Sequence, residues 1–393
     1  MAKPKLALIP AAQGSKFYSV LPSSGVGDFD FARSGGATRI NKDGLIETVA
    51  SGVSRLNYPM IDGVVSGCPS HLLEPVKQNV LQRSEEFDNA YWINNGVTIN
   101  ANQTISPSGD FSADLLTGVS GGFGVIRFST WNATNKVASC FAKKGSSNLF
   151  SIANVSGIGG VTFDVENGTL TSITSGFEAE IENYGNGWFR CTAIDTLGRN
   201  GTFSLGVTSA SESVYIWGAQ LESDYKTSYI PTTTSAVTRS AETAIGSGDN
   251  TIFNGSQGVL MAEISTLNNS GNKSISITDG TATNIITVRY LDSLIQGLYV
   301  NSANSTTYLI NYTVPNVKDF TKVALSYQSG SLKLYVNGTL IQNISLVVND
   351  IPDWNTLQFN IGNSTQIFYG NAKQVQYFDE VLTDAELIAL TTI

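Results

Sequence analysis

Three glutamates in the run EAEIE, Glu178, Glu180 and Glu182, are the strongest candidates for chemistry in this chain. Alternate residues of a strand share a face, which sets these carboxylates roughly 7 Å apart along it. Glycoside hydrolysis needs two carboxyl groups flanking one bond, roughly 5–5.5 Å apart for retention and roughly 6.5–9.5 Å for inversion. The spacing permits a glycosidase. It fits equally the exposed acidic face of an edge strand, where like charges discourage edge-to-edge pairing. The second reading is adopted, so no catalytic residue is assigned and the chain is expected not to be an enzyme. His71, the only histidine, stands three residues from Cys68 in CPSHLLEP. A Cys–His pair needs a third group to orient it, and none is evident there, so His71 reads as a turn or packing residue. No phosphate-binding glycine motif occurs, and SGGFG at 120–124 reads as a plain turn.

Sugar binding is the other chemistry the residue types allow. A saccharide offers C–H faces to aromatic rings and hydroxyls to side-chain amides and acids. In the C-terminal third, Tyr299, Tyr308, Tyr312 and Trp354 lie amid Asn and Ser, and the middle offers Tyr91, Trp92 and Trp131. These seven are the candidate carbohydrate contacts. Trp188 and Trp217, inside apolar runs, read as core.

Composition narrows the partners. Charged residues make up only 14% of the 393, Gly numbers 38, and the formal net charge is −9. Lys and Arg are too thinly spread to make a basic stripe, which argues against nucleic acid. The start, MAKPKLALIPAAQGSKF, has an apolar patch broken by Pro10 and too short for a signal sequence. No run approaches the roughly 18 apolar residues of a membrane span. The chain is therefore expected to be soluble and made in the cytoplasm. Three cysteines, Cys68, Cys140 and Cys191, without a CxxC spacing, read as small buried hydrophobes. The Asn-x-Ser/Thr triplets, as at Asn167 and Asn337, read as chance in an Asn- and Thr-rich chain.

The elements that must carry these residues are strands. Short alternating runs punctuated by Gly, Asn and Asp recur, as in KVASCFAKKG (136–145), GVTFDVENGTLTSI (160–173), SVYIWGAQLE (213–222), GVLMAEIS (258–265) and KVALSYQSG (322–330). In SLKLYVNGTLIQNI (331–344), Asn337-Gly338 supplies the two positive-φ positions of a type I′ turn. With 336 opposite 339, Leu332, Leu334, Val336, Thr339 and Ile341 take one face and Ser331, Lys333, Tyr335, Leu340 and Gln342 the other. The pair Tyr335 and Leu340 then falls on the wet side, as a small contact surface or beneath another strand. ENGTL repeats the same turn chemistry in the middle region. One helix is expected, in LTDAELIAL, where Thr383 and Glu386 form a capping box and Leu382 and Leu387 a staple.

A Pro- and Thr-rich connector, YIPTTTSAVTRSAET (229–243), separates two strand-rich regions, and the Gly-rich stretch before residue 80 cannot bury a large core alone. The expected fold is all-β: two antiparallel β-sandwiches preceded by an extended N-terminal segment. The divisions are 1–79, 80–235 and 236–393.

The stretch from about 258 onward, with FTKVALSYQSGSLKLYVNGTLI and LQFNIGNSTQIFYGNAKQVQYFDEVLTDAELIAL, resembles the laminin-G-like or concanavalin A-like lectin/glucanase sandwich. It departs from many relatives in having Lys373-Gln374-Val375 where they have Asp-Glu-Val. The middle, from VLQRSEEFDNAYW through NGWFRCTA to VYIWGAQLESDYKTSYIPTTTSAVTRSAE, resembles carbohydrate-binding-module jelly rolls of phage structural proteins. With FDFARSGGATRINKDGLIE and CPSHLLEP in front, the layout resembles phage head-fibre, head-spike or tail-fibre proteins. That resemblance implies a virion-surface homotrimer, anchored to capsid or tail proteins by its N-terminal segment and attaching to glycans. The resemblance to carbohydrate-binding jelly rolls implies a structural calcium as well, with Glu85, Glu86, Asp88 and Glu222 in the comparable regions. No other cofactor is expected. A glycan depolymerase and a purely structural capsid or collar component are the alternatives.

Overall fold

The computed structural model describes residues 2–119, 124–129, 135–154, 159–199, 201–301, 306–348 and 353–393. Nearly all of its regular structure is antiparallel strand, as the alternation demands. Among the described residues Asp384–Thr391 is the one α-helix, and no helix is long and apolar enough to cross a membrane.

The middle region folds as two six-stranded sheets. One runs Val97–Thr104, Ala113–Gly118, Ser213–Ser223, Lys136–Lys144, Trp188–Asp195 and Phe177–Asn183 in order of pairing. The core between the sheets holds Trp92, Leu116, Phe150, Phe163, Leu205 and Ile216. Cys140 and Cys191 face each other across two paired strands and are buried there, whereas Cys68, in the turn before Ser70–Leu73, is exposed and departs from the expectation.

The C-terminal sandwich draws on both ends of the chain. Its larger sheet runs Thr243–Ile245, Phe29–Ala32, Lys16–Leu21, Leu6–Gln13, Gly370–Phe378, Gln257–Thr266, Thr321–Gln328, Ser331–Val336 and Thr339–Ile344. The N-terminal segment thus lies along a neighbour, and the neighbour is this same chain: Leu6 pairs with Tyr377 and Leu8 with Val375. The facing sheet runs Thr306–Thr313, Leu294–Asn301, Ile285–Leu291, Asn272–Thr278 and Thr356–Gln358.

Two crossings join the sandwiches, and they pair with each other: Lys77–Asn79 runs antiparallel to Val237–Arg239. Beside them Arg33, Arg55, Glu74, Arg239 and Glu242 form a buried ionic cluster. Arg55 binds both oxygens of Glu242 and reaches Glu74 at 2.8 Å; Arg33 meets Glu242 and Arg239 meets Glu74, each at 2.8 Å. Ser228 donates backbone N–H and hydroxyl to Glu74. Burial alone would raise the Glu74 carboxyl, but Arg239 and Arg55 outweigh it and hold the pKa down, to about 2. The cluster takes residues from the N-terminal segment and from the connector, and so fixes where one sandwich ends and the other begins.

Local chemistry explains the turns. Asn337 and Gly338 have φ of 48° and 77°, and Val336 pairs with Thr339, as a type I′ hairpin requires. Beyond Tyr335 and Leu340 the register shifts, so Leu334 faces Gln342 and Ile341 is a bulge residue. Tyr335 is buried, covered not by a strand but by the terminal helix, with Leu382, Leu387 and Leu390. That helix has the full Thr383/Glu386 capping box. ENGTL departs from its expected turn. Asp164 pairs with Thr169, and the Asp164 carboxylate accepts N–H bonds from Glu166 and Asn167, spreading the loop over four residues with only Gly168 at positive φ.

A candidate binding cleft between the two sandwiches

Strand Phe177–Asn183 is the last of its sheet and pairs only with Trp188–Asp195. Period two puts Glu178, Glu180 and Glu182 on one face, as expected from the sequence. All three line a cleft of about 940 Å³ whose other wall comes from the C-terminal sandwich: Thr266–Ser270, Val314–Lys318, Ser293 and Asn371. Asn135, Thr196, Asp224, Tyr225 and Lys226 complete it. A second groove, of about 410 Å³, continues past Tyr225, Asn268 and Ser270 to Ser364, Thr365 and Gln366.

Lysines govern the electrostatics of the carboxylates. Lys226 Nζ lies 2.8 Å from Glu180 and 2.5 Å from Glu182, and Lys318, from the opposite wall, takes the other oxygen of Glu180. Burial opposes the charge on Lys226, but Glu182 and Glu180 outweigh it and raise its pKa. Burial likewise pushes the Glu180 carboxyl up, and the two lysines bring it down to about 2. A general acid must carry its proton near neutral pH. Glu180 does the reverse, and both its oxygens are already bonded, one to Lys226 on its own side and the other to Lys318 across the cleft. What the cleft offers a ligand is amides, hydroxyls, the carboxylates of Glu178 and Asp224, apolar side chains such as Leu267 and Pro315, and one ring, that of Tyr225, whose face also carries Lys77 Nζ at 4.0 Å from its centroid.

The sequence-predicted aromatic contacts are not in this cleft. Trp92, Tyr299 and Trp354 are buried core residues, Tyr299 by strand alternation and the two indoles from the segments that lead into Ile93–Asn95 and Thr356–Gln358; the indole N–H groups of Trp92 and Trp354 donate to the carbonyls of Arg83 and Asn284. Tyr91, Tyr308 and Tyr312 are half-buried against the same cores. Trp131 lies outside the described residues, as does most of SGGFG. Tyr225 was missed; its signal was an aromatic set in the polar run ESDYKTSY.

The residues proposed for calcium do not fit it. Glu222 is fully buried and accepts from Gln220 and from the backbone and hydroxyl of Thr227. Glu85 accepts from Tyr229, Glu86 pairs with Arg83, and Asp88 is exposed. Asp114, near Glu86 and Asp88, was also missed; burial raises it to about 6, and its two oxygens accept the N–H groups of Phe87 and Asn102. Internal donors thus occupy most of this set, and among the described residues no group of three or more Asp, Glu, His or Cys is placed to hold a metal ion. His71 is a packing residue of strand Ser70–Leu73: it stacks on Phe17 with centroids 3.9 Å apart, and burial lowers its pKa to about 4.

Residues 242–388 match the family model of the concanavalin A-like lectin/glucanases superfamily. No curated protein matches the chain. Among solved structures, the CBM40 of the Ruminococcus gnavus IT-sialidase bound to α2,3-sialyllactose is 22% identical, with 35% of this chain and 83% of that one covered at a TM-score of 0.31. Domain 4 of AbnA, a GH43 extracellular arabinanase from Geobacillus stearothermophilus in complex with arabinotriose, is 11% identical, covering 43% and 83% at 0.32. At such scores these likenesses carry no functional argument. The fold is all-β, with a concanavalin A-like sandwich at its C-terminal end.

Proposed function

We propose that this chain is a glycan-binding protein that holds its ligand in the cleft between the two sandwiches and does not cleave it. The observation that carries the reading is the lining: Asn135, Asn268, Asn269, Asn316 and Asn371 beside Tyr225, with the central carboxylate bridged by two lysines. Amides and hydroxyls supply the paired donors and acceptors that sugar hydroxyls need. The lectin-like family match over 242–388 supports the same reading.

In its fuller form the chain is a phage virion-surface protein, made in the bacterial host and assembled as a homotrimer, whose weak sites gain avidity from copy number. The order of its modules supports this. The N-terminal strands belong to a sheet, so attachment to capsid or tail proteins would use their outer face, where Tyr18 and Val20 are exposed. Antibody labelling of particles in the electron microscope tests the location and sedimentation equilibrium the trimer.

A glycan array read alongside reducing-sugar release tests the core proposal. Binding without release is expected. Replacing Asn135 and Asn269 together by Ala removes hydrogen bonds of about 1 kcal/mol each, so affinity falls about thirtyfold with the unfolding midpoint unchanged. Sugar release lost in Glu180→Gln would make the chain a depolymerase, and retention on particles with no glycan bound would make it a structural component.

A further inference from the structure

We propose that the cleft selects glycans by charge, favouring sugars with free amino groups and turning away those with carboxylates or sulfates. This rests on the glycan-binding reading and names its ligand class. Four carboxylates line the cleft, Glu178, Glu180, Glu182 and Asp224, against two ammonium groups, Lys226 and Lys318; with Lys77 standing behind Asp224, the wall is left one charge negative. Both lysines are committed: Lys226 to Glu180 and Glu182, and Lys318 to Glu180. In the adjoining groove Lys273 is buried and turns its ammonium into the loop, 2.5 Å from the Ser270 carbonyl and 3.2 Å from that of Asn268.

An anion entering the cleft therefore meets, among the described lining residues, only ammonium groups already paired with carboxylates, of which Lys318 is the more exposed. A cation finds the opposite. Glu178 is exposed and has no ion pair among the described residues, and Asp224, itself exposed, has a long contact of 3.5 Å with the buried Lys77. A contact of that length, with its carboxylate in water, holds Asp224 only loosely. Concave walls bearing one sign of charge concentrate the field over the opening, which sharpens the distinction beyond what the same charges would give on a flat surface.

The test uses the whole chain and matched oligosaccharides in gluco and galacto series, differing only in charge: free amine, N-acetylated, and uronic acid. Titration calorimetry at low ionic strength is expected to give amine binding about tenfold tighter than N-acetyl, with the uronic acid unbound. Glu178→Gln with Asp224→Asn removes the amine advantage, so that amine and N-acetyl sugars bind alike. Asp43→Asn with Glu166→Gln, two exposed acids outside the cleft lining, changes neither and controls for the overall negative charge. Uronic acids binding as well as N-acetyl sugars, or an amine advantage that survives the cleft variant or vanishes in the control, overturns the charge selection and leaves glycan binding standing. No binding by any series overturns both.

Discussion

Replacing Glu180 by Gln separates a clamp from a catalyst. The wild-type carboxylate holds Lys226, whose side chain is 14% exposed, and Lys318, which is 51% exposed. The outer pair, well solvated, contributes less than about 1 kcal/mol. The inner pair is more shielded, but Lys226 keeps Glu182 at 2.5 Å and the Gln carbonyl still accepts one bond. The net cost at neutral pH is therefore about 1–2 kcal/mol, screened by salt. The pH dependence follows from a folded-state pKa depressed from 4.5 to about 2. A depressed carboxylate contributes stability that is fully present above its unfolded pKa and is lost as pH falls through the folded value. The gap between wild type and variant in urea denaturation should be complete at pH 7, start to close below about 4.5 and vanish near 2. A variant as stable as wild type at pH 7, or a gap that widens in acid, would refute the clamp.

Three further outcomes follow from the packing. Glu242→Gln leaves Arg33 without its buried counter-charge and Arg55 to share Glu74 with Arg239, and should cost about 3–5 kcal/mol by chemical denaturation, because an uncompensated internal charge is left behind. Leu387→Ala uncovers Tyr335 beneath the terminal helix; a loss of about 2–5 kcal/mol and greater acrylamide quenching of tyrosine emission are expected. Gly338→Val forces a β-branched residue to φ 77° with its Cβ 3.0 Å from the Thr392 hydroxyl, which should lower stability by about 1–2 kcal/mol in the same urea assay.

What the sequence disclosed was chemistry carried by neighbouring residues. Asn337-Gly338 dictates its own turn, Thr383 and Glu386 cap their own helix, and the alternation of Glu178, Glu180 and Glu182 fixes their shared face. What it concealed depends on contacts between distant segments. Nothing local in Leu6–Gln13 states that its partner is Gly370–Phe378, and nothing in SLKLYV states that a helix near residue 387 will cover Tyr335. The burial of two aromatic candidates was hidden for the same reason. Tyr299 and Trp354 sit among polar neighbours in sequence, yet a strand turns the first and a loop the second towards Tyr327 in the core. The cleft itself is assembled from loops around 266–270 and 314–318 that only the tertiary fold brings opposite Glu180.

Hydrogen–deuterium exchange on the protein saturated with its tightest array glycan, with the sugar weighed intact afterwards, tests the cleft most directly. Slower exchange should gather in 177–183, 266–270 and 314–318, around a ligand of unchanged mass. Protection confined to the outer faces of either sandwich, or a shortened sugar, would contradict the account.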